Sequence, residues 1–131
     1  MKLGFSLIEL MIVLALISIL SLISYPLYNE HVIRVRRAYM AATLLDAAGR
    51  MEKYRVLHES YNGANTKNLS IDTSRYHKYY NLHIAPEGDL YILTATPIGK
   101  QAKDILCGSL TIDQDGNKSV GSGDSDIKCW L

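Results

Sequence analysis

Arg75-Tyr76-His77-Lys78-Tyr79-Tyr80 interleaves bases with aromatic rings. Cations grip phosphates while rings stack on bases, so this hexapeptide has the make-up of a nucleic-acid contact. Lys100, Lys103, Lys118, Lys128 and Trp130 extend it into a stripe if the fold gathers them. Asp104, Asp113, Asp115, Asp124 and Asp126 share the region and repel phosphate. On that balance the expectation is strand tyrosines and solvated lysines, with DNA binding as the rival.

Other constellations are weaker. Asp113, Asp115, Asn117, Ser119 and Asp124 fall at positions 1, 3, 5, 7 and 12 of a calcium loop, but Lys118 stands where glycine is required. A plain turn is the better reading. Cys107 and Cys129 lack CxxC spacing, and no histidine follows at ligand distance. His31, His58, His77 and His83 are scattered, and no serine sits in a nucleophile elbow. No phosphate-binding glycine loop is present. The expectation is no enzyme, no metal and no cofactor.

The elements that must position these residues fall into two contrasting parts. Between Phe5 and Tyr28 the one ionisable side chain apart from the tyrosines is Glu9, whereas the 103 residues from Asn29 onward carry 12 acids and 13 bases. A helix rises about 1.5 Å per residue, so this apolar run is long enough to cross a hydrocarbon core of about 30 Å. No second run of that length follows. The whole-chain net charge of +1 gives no general basic excess. A cleaved secretory signal fits poorly, because no small-x-small site precedes Tyr25. Glu9 is the costly residue, since a carboxylate inside an apolar span is unfavourable by roughly 2.5–3.5 kcal/mol at a helix centre. It calls for a partner.

Gly4-Phe5-Ser6-Leu7-Ile8-Glu9-Leu10-Met11-Ile12-Val13 resembles the N-terminal signature of type IV pilins and pseudopilins. The resemblance implies that a prepilin peptidase/methylase removes a leader, residues 1–4, after Gly4 and N-methylates Phe5. It implies that Glu9 supports assembly, which physics reads as pairing with the Phe5 ammonium of a neighbouring subunit. It further implies residues 5–28 as the transmembrane and assembly half of a long helix, and 29–131 as a head facing the periplasm. The partners implied are other pilin subunits in a filament, an inner-membrane assembly platform and, before assembly, the lipid bilayer. Charge bias alone points the other way, since Arg34, Arg36 and Arg37 outweigh Lys2. The motif is the more specific signal and decides the orientation.

Pro26 predicts a kink or a loosened stretch, as the family's bent helix also implies. From Tyr28 to about His58 good helix formers dominate, with Met40, Leu44, Ala47, Met51 and Tyr54 on one face and Asp46, Arg50 and Lys53 on another. Asn62, Gly63 and Asn65 are expected to break the helix, and residues 59–75 to form a loop. Strands are predicted at Tyr79–Ile84, Tyr91–Thr96, Gly108–Asp113 and Lys118–Val120, with turns at Pro86–Asp89 and Asp113–Asn117. The fold class is therefore α+β: a long N-terminal helix on a three- or four-stranded antiparallel sheet, which is the type IV pilin fold.

Cys107 and Cys129 read as a disulfide in a translocated head. The resemblance agrees, since pilin heads close their C-terminal loop this way. Cys107–Ile112 with Cys129-Trp130 resembles the group of PilE-type minor pilins and DNA-uptake pilins. The function expected is a minor subunit of a type IV pilus. The rivals are a DNA-binding pilin of a DNA-uptake pilus, using Arg75, His77, Lys78, Lys100, Lys103, Lys118 and Lys128, and a type II secretion pseudopilin.

Overall fold

Helix α1 runs Leu7–His58 in the computed structural model, which describes residues 4–122 and 127–130. Residues 1–3 of the expected leader, and Asp124 and Asp126, lie outside the described residues. The chain divides into two units, one up to Val32 and the other from Ile33 on.

In the first unit every described side chain as far as His31 is exposed, including Phe5, Leu10, Leu16 and Ile23. The helix is long and apolar enough to cross a membrane. Ser18 and Ser21 donate their hydroxyls to the carbonyls of Leu14 and Ile17, both at 2.7 Å. Such back-bonding satisfies a hydroxyl where hydrocarbon offers no partner. Helix runs unbroken through Pro26.

In the second unit the helix buries Met40, Ala41, Leu44, Ala47 and Met51, with Tyr54 half-buried. These join one core with the inward residues of the sheet. The helix ends at His58, where Glu59 takes φ 59° and its N–H reaches the Arg55 carbonyl at 2.7 Å. This stop comes before Asn62 and Gly63, through a left-handed residue that is not glycine. The following loop is tied down by Arg50, whose Nη1 donates to the carbonyls of Leu69 and Ser70, each at 3.0 Å.

Four strands form an antiparallel meander in the order β1-β2-β3-β4: Tyr80–Glu87, Leu90–Pro97, Leu110–Asp113 and Lys118–Val120. Alternation fills one face, with Tyr91, Leu93 and Ala95 of β2 and Leu110 and Ile112 of β3 buried. The first turn is tighter than predicted. Glu87 pairs with Leu90, so Gly88-Asp89 alone makes the connection, with Gly88 at φ +61° in the first central position that a type II′ turn gives to glycine. Pro86 therefore lies within β1, opposite Tyr91, and not in the turn. An edge strand tolerates the missing N–H. Two 3-10 helices, Gly99–Lys103 and Ile127–Trp130, were not foreseen, being too short to show a period.

Candidate nucleic-acid interface

Arg75, His77 and Lys78 sit in the turns just before β1, with exposed side chains. His77 Nδ1 meets the Ser74 carbonyl at 2.8 Å. A carbonyl only accepts, so Nδ1 carries a hydrogen. The first 3-10 helix comes up against this segment. Ile98 N–H donates to the Tyr79 carbonyl at 2.8 Å, and a Cβ on Gly99 would lie 3.5 Å from the Lys78 carbonyl. Exposed Lys100 and Lys103 thus join the Arg75–Lys78 segment in one basic group.

The acid closest in sequence to that group is withdrawn from the surface. Asp104 is buried, and Arg37 Nη1 donates to both its carboxylate oxygens at 2.7 Å. Gln101 is fully buried beside it, and its Nε2 donates to the Ile33 carbonyl at 2.9 Å and to the Tyr80 hydroxyl at 3.0 Å. Burial pushes the Tyr80 phenol up to about 12, against the lowering effect of the Gln101 bond. The expected repulsion of phosphate by Asp104 is therefore cancelled at source by Arg37, a residue sequence reasoning left in the orientation argument.

Lys118 and Trp130 form a second group. Lys118 Nζ lies 5.5 Å from the Trp130 ring centroid, and Trp130 Nε1 donates to the Ser119 carbonyl at 3.3 Å. β4 is the far edge of the sheet from β1, three strand spacings or about 14 Å away. The disulfide Cys107–Cys129, with Cα atoms 5.7 Å apart, links exposed Lys128 and half-buried Trp130 to the chain that leaves Lys103. The seven candidate cations thus fall into two groups joined through that disulfide.

The aromatic half of the hexapeptide is spent differently than its composition suggests. Tyr76 and Tyr80 are buried in the core and cannot stack on a base. Tyr79 is half-buried, with the Arg36 guanidinium carbon 3.7 Å from its ring centroid. Arg36, Tyr39, Arg75, Tyr76 and Tyr79 line a cleft of about 340 Å³, and the Tyr76 hydroxyl has no hydrogen-bond partner among the described residues. Arg36 and Tyr39 were missed. Their signal was helical spacing, three residues apart on one face.

Asp113 behaves as a turn residue. Its Oδ1 accepts the N–H groups of Asp115 and Asn117 at 3.0 and 2.9 Å, and the Asn117 amide bonds Oδ2 at 2.9 Å. These bonds, the Asn117 side chain first, hold its carboxyl below the usual range. Among the described residues no cluster of three His, Cys, Asp or Glu side chains is placed to hold a metal ion.

At the other end, Glu9 Oε2 accepts the Ser6 backbone N–H at 2.8 Å. Ser6-x-x-Glu9 is half of a capping box, and the spacing was legible in the sequence though unread.

The family model for the type IV minor pilin ComP, DNA uptake sequence receptor, matches residues 26–111. The chain belongs to this family of type IV minor pilins. Residues 1–25 match the prokaryotic N-terminal methylation motif. A type IV pilin from Shewanella oneidensis has the same fold, with a TM-score of 0.55 at 22% identity, covering 71% of this chain and 96% of that one. No curated protein matches the chain. The α+β class and the family expected from the residues are both borne out, and the minor pilin is a structural subunit from a family that is not enzymatic. Such a pilin is anchored by its apolar helix before assembly into an extracellular pilus.

Proposed function

We propose that this minor pilin is a DNA receptor of the pilus. Its precursor is cleaved after Gly4 and N-methylated at Phe5 by a prepilin peptidase/methylase. Residues 5–28 hold it in the inner membrane with the head, 29–131, in the periplasm, and then pack with other pilin subunits in the filament. The head presents its two basic groups to duplex DNA.

The observation that carries this reading is the match to a family described as DNA uptake sequence receptors across 26–111, the stretch that contains Arg75, His77, Lys78, Lys100 and Lys103. The ion pair supports it, because with Asp104 tied to Arg37 the first basic group has no competing charge from that acid. Both considerations raise DNA above the solvated-lysine reading.

The test is duplex DNA binding by the full-length protein in nonionic detergent, across a salt series. Binding should weaken steeply with salt, and Lys78→Gln, Lys100→Gln and Lys103→Gln should each reduce the log–log slope by about 1. Lys53→Gln, on the helix, should leave it unchanged. Absence of binding, or binding insensitive to salt, overturns the proposal.

A further inference from the structure

Ile105 and Leu106 are each 84% exposed, yet the residues on either side, Asp104 and Cys107, are buried at 5% and 2%. Two large aliphatic side chains side by side in water are unfavourable, and a soluble head gains nothing by displaying them. They are also held firmly. Asp104 is pinned by Arg37 on one side, and Cys107 by its disulfide to Cys129 on the other. Across the tip the Gly108 N–H donates to the Asp104 carbonyl at 2.9 Å, and the Ile105 N–H to the Lys103 carbonyl at 2.9 Å. The result is a short apolar tip braced at both ends.

Its position is set by the chain. Lys103 lies two residues before Ile105, at the end of the helix that also carries Lys100. Cys107 leads through Cys129 to Trp130 and Lys118. Along the covalent path, the apolar tip therefore lies between Lys103 of the first basic group and the Lys128–Trp130 end of the second. Among the described residues from Ile33 on, Val56 and Leu57 form another strongly exposed aliphatic pair, but it is flanked by Arg55, which is paired with Asp89, and by Glu59, so its surroundings carry mixed charge.

We infer that Ile105 and Leu106 are an apolar wedge that inserts between adjacent base pairs of duplex DNA while the lysines on both sides hold the phosphates. The inference rests on the DNA-receptor reading and adds how the duplex is deformed. Aliphatic side chains inserted in this way partly unstack a step, and the lost stacking is offset by surface that the bent duplex brings into contact. Pyrimidine–purine steps unstack most readily, so the wedge favours sites that contain them. Rigid bracing suits this role, since a floppy tip would lose freedom on insertion.

The experiment uses the full-length protein in nonionic detergent with a relaxed closed-circular plasmid and topoisomerase I. After removal of protein, the linking-number distribution reports unwinding. Wild type should shift it. Ile105→Ser/Leu106→Ser should bind the plasmid about tenfold more weakly, with an unchanged salt slope and no shift in linking number. Ile105→Val/Leu106→Met should keep the shift, which separates loss of an apolar wedge from loss of fold. If wild type binds without unwinding and the serine variant binds equally well, the wedge is wrong and the receptor reading stands. If wild type does not bind the plasmid at all, the receptor reading itself fails. If the serine variant binds and unwinds DNA normally but drops out of filaments, the tip is a subunit contact and the inference is overturned.

Discussion

Arg37 and Asp104 are 67 residues apart in sequence, yet one guanidinium nitrogen lies 2.7 Å from both carboxylate oxygens, with the side chains only 12% and 3% exposed. This bond fixes the first 3-10 helix, with Lys100 and Lys103, against the long helix, and it anchors the near end of the Ile105–Leu106 tip. It also removes a negative charge from a basic surface. A buried pair adds little net stability over a well-packed apolar pair, but separating its partners is expensive.

Asp104→Asn should therefore destabilise the head by about 3 kcal/mol, because Arg37 is left charged and nearly buried. Denaturation followed by fluorescence of Trp130, the single tryptophan, measures this. Arg37→Met combined with Asp104→Leu should recover most of the loss. A cost below about 1 kcal/mol for Asp104→Asn would mean that the pair behaves like an exposed one.

Alkali should loosen the same region. Burial raises the folded Tyr80 phenol to about 12, and also raises Tyr91. The unfolded chain loses these protons first, near pH 10, so this stabilisation is intact below about pH 10 and declines as pH rises towards about 12. Tyr80→Phe should flatten that decline. At neutral pH it should cost about 1 kcal/mol, since Gln101 Nε2 loses one of its two acceptors.

Removing the disulfide acts on the unfolded chain. Cys107 and Cys129 are separated by 22 in sequence, for which loop-closure entropy gives about 3.4 kcal/mol. Cys107→Ser/Cys129→Ser should lose up to that amount in denaturation experiments. It should also weaken DNA binding, because the Trp130 and Lys128 end is no longer tied to the Lys103 end. Equal DNA affinity with and without the bridge would show that the two basic groups do not act together.

The Ser6–Glu9 bond divides two roles that one substitution would confuse. Glu9→Gln keeps an acceptor for the Ser6 N–H but removes the charge, whereas Glu9→Val removes both. Leader cleavage should survive in each, leaving Phe5 as the N-terminal residue by sequencing. If Glu9 pairs with a neighbour's Phe5 ammonium, both variants should be depleted from filaments to a similar degree, by a hundredfold or more for a buried pair costing about 3–5 kcal/mol to break. Normal filament entry by Glu9→Gln would assign Glu9 to capping alone. The measurement is the ratio of filament to membrane protein.

What could be read from the residues was local. The apolar run, the lone Glu9, the helical face from Met40 to Tyr54 and the alternation in β2 and β3 each depend on neighbours within a few positions, where spacing alone dictates which side chains share a face. The Ser6-x-x-Glu9 cap belongs to the same class. Pro86 misled because its turn preference is local too, whereas its place in β1 depends on β1 being an edge strand.

The sequence by itself determined a membrane-length helix, an assembly signature and the α+β class, because hydrophobic periodicity and a contiguous motif need no knowledge of distant contacts. Tertiary structure alone decided that Tyr76 and Tyr80 are core residues and that the lysines form two groups. It alone decided that Asp104 is paired with Arg37 and that Ile105 and Leu106 are exposed while Asp104 and Cys107 on either side are buried. Each of these depends on where loops pass and which strand is an edge. Such choices are made by long-range burial, where Arg37 meets Asp104 and Gln101 meets Tyr80 across stretches of chain that no local spacing relates.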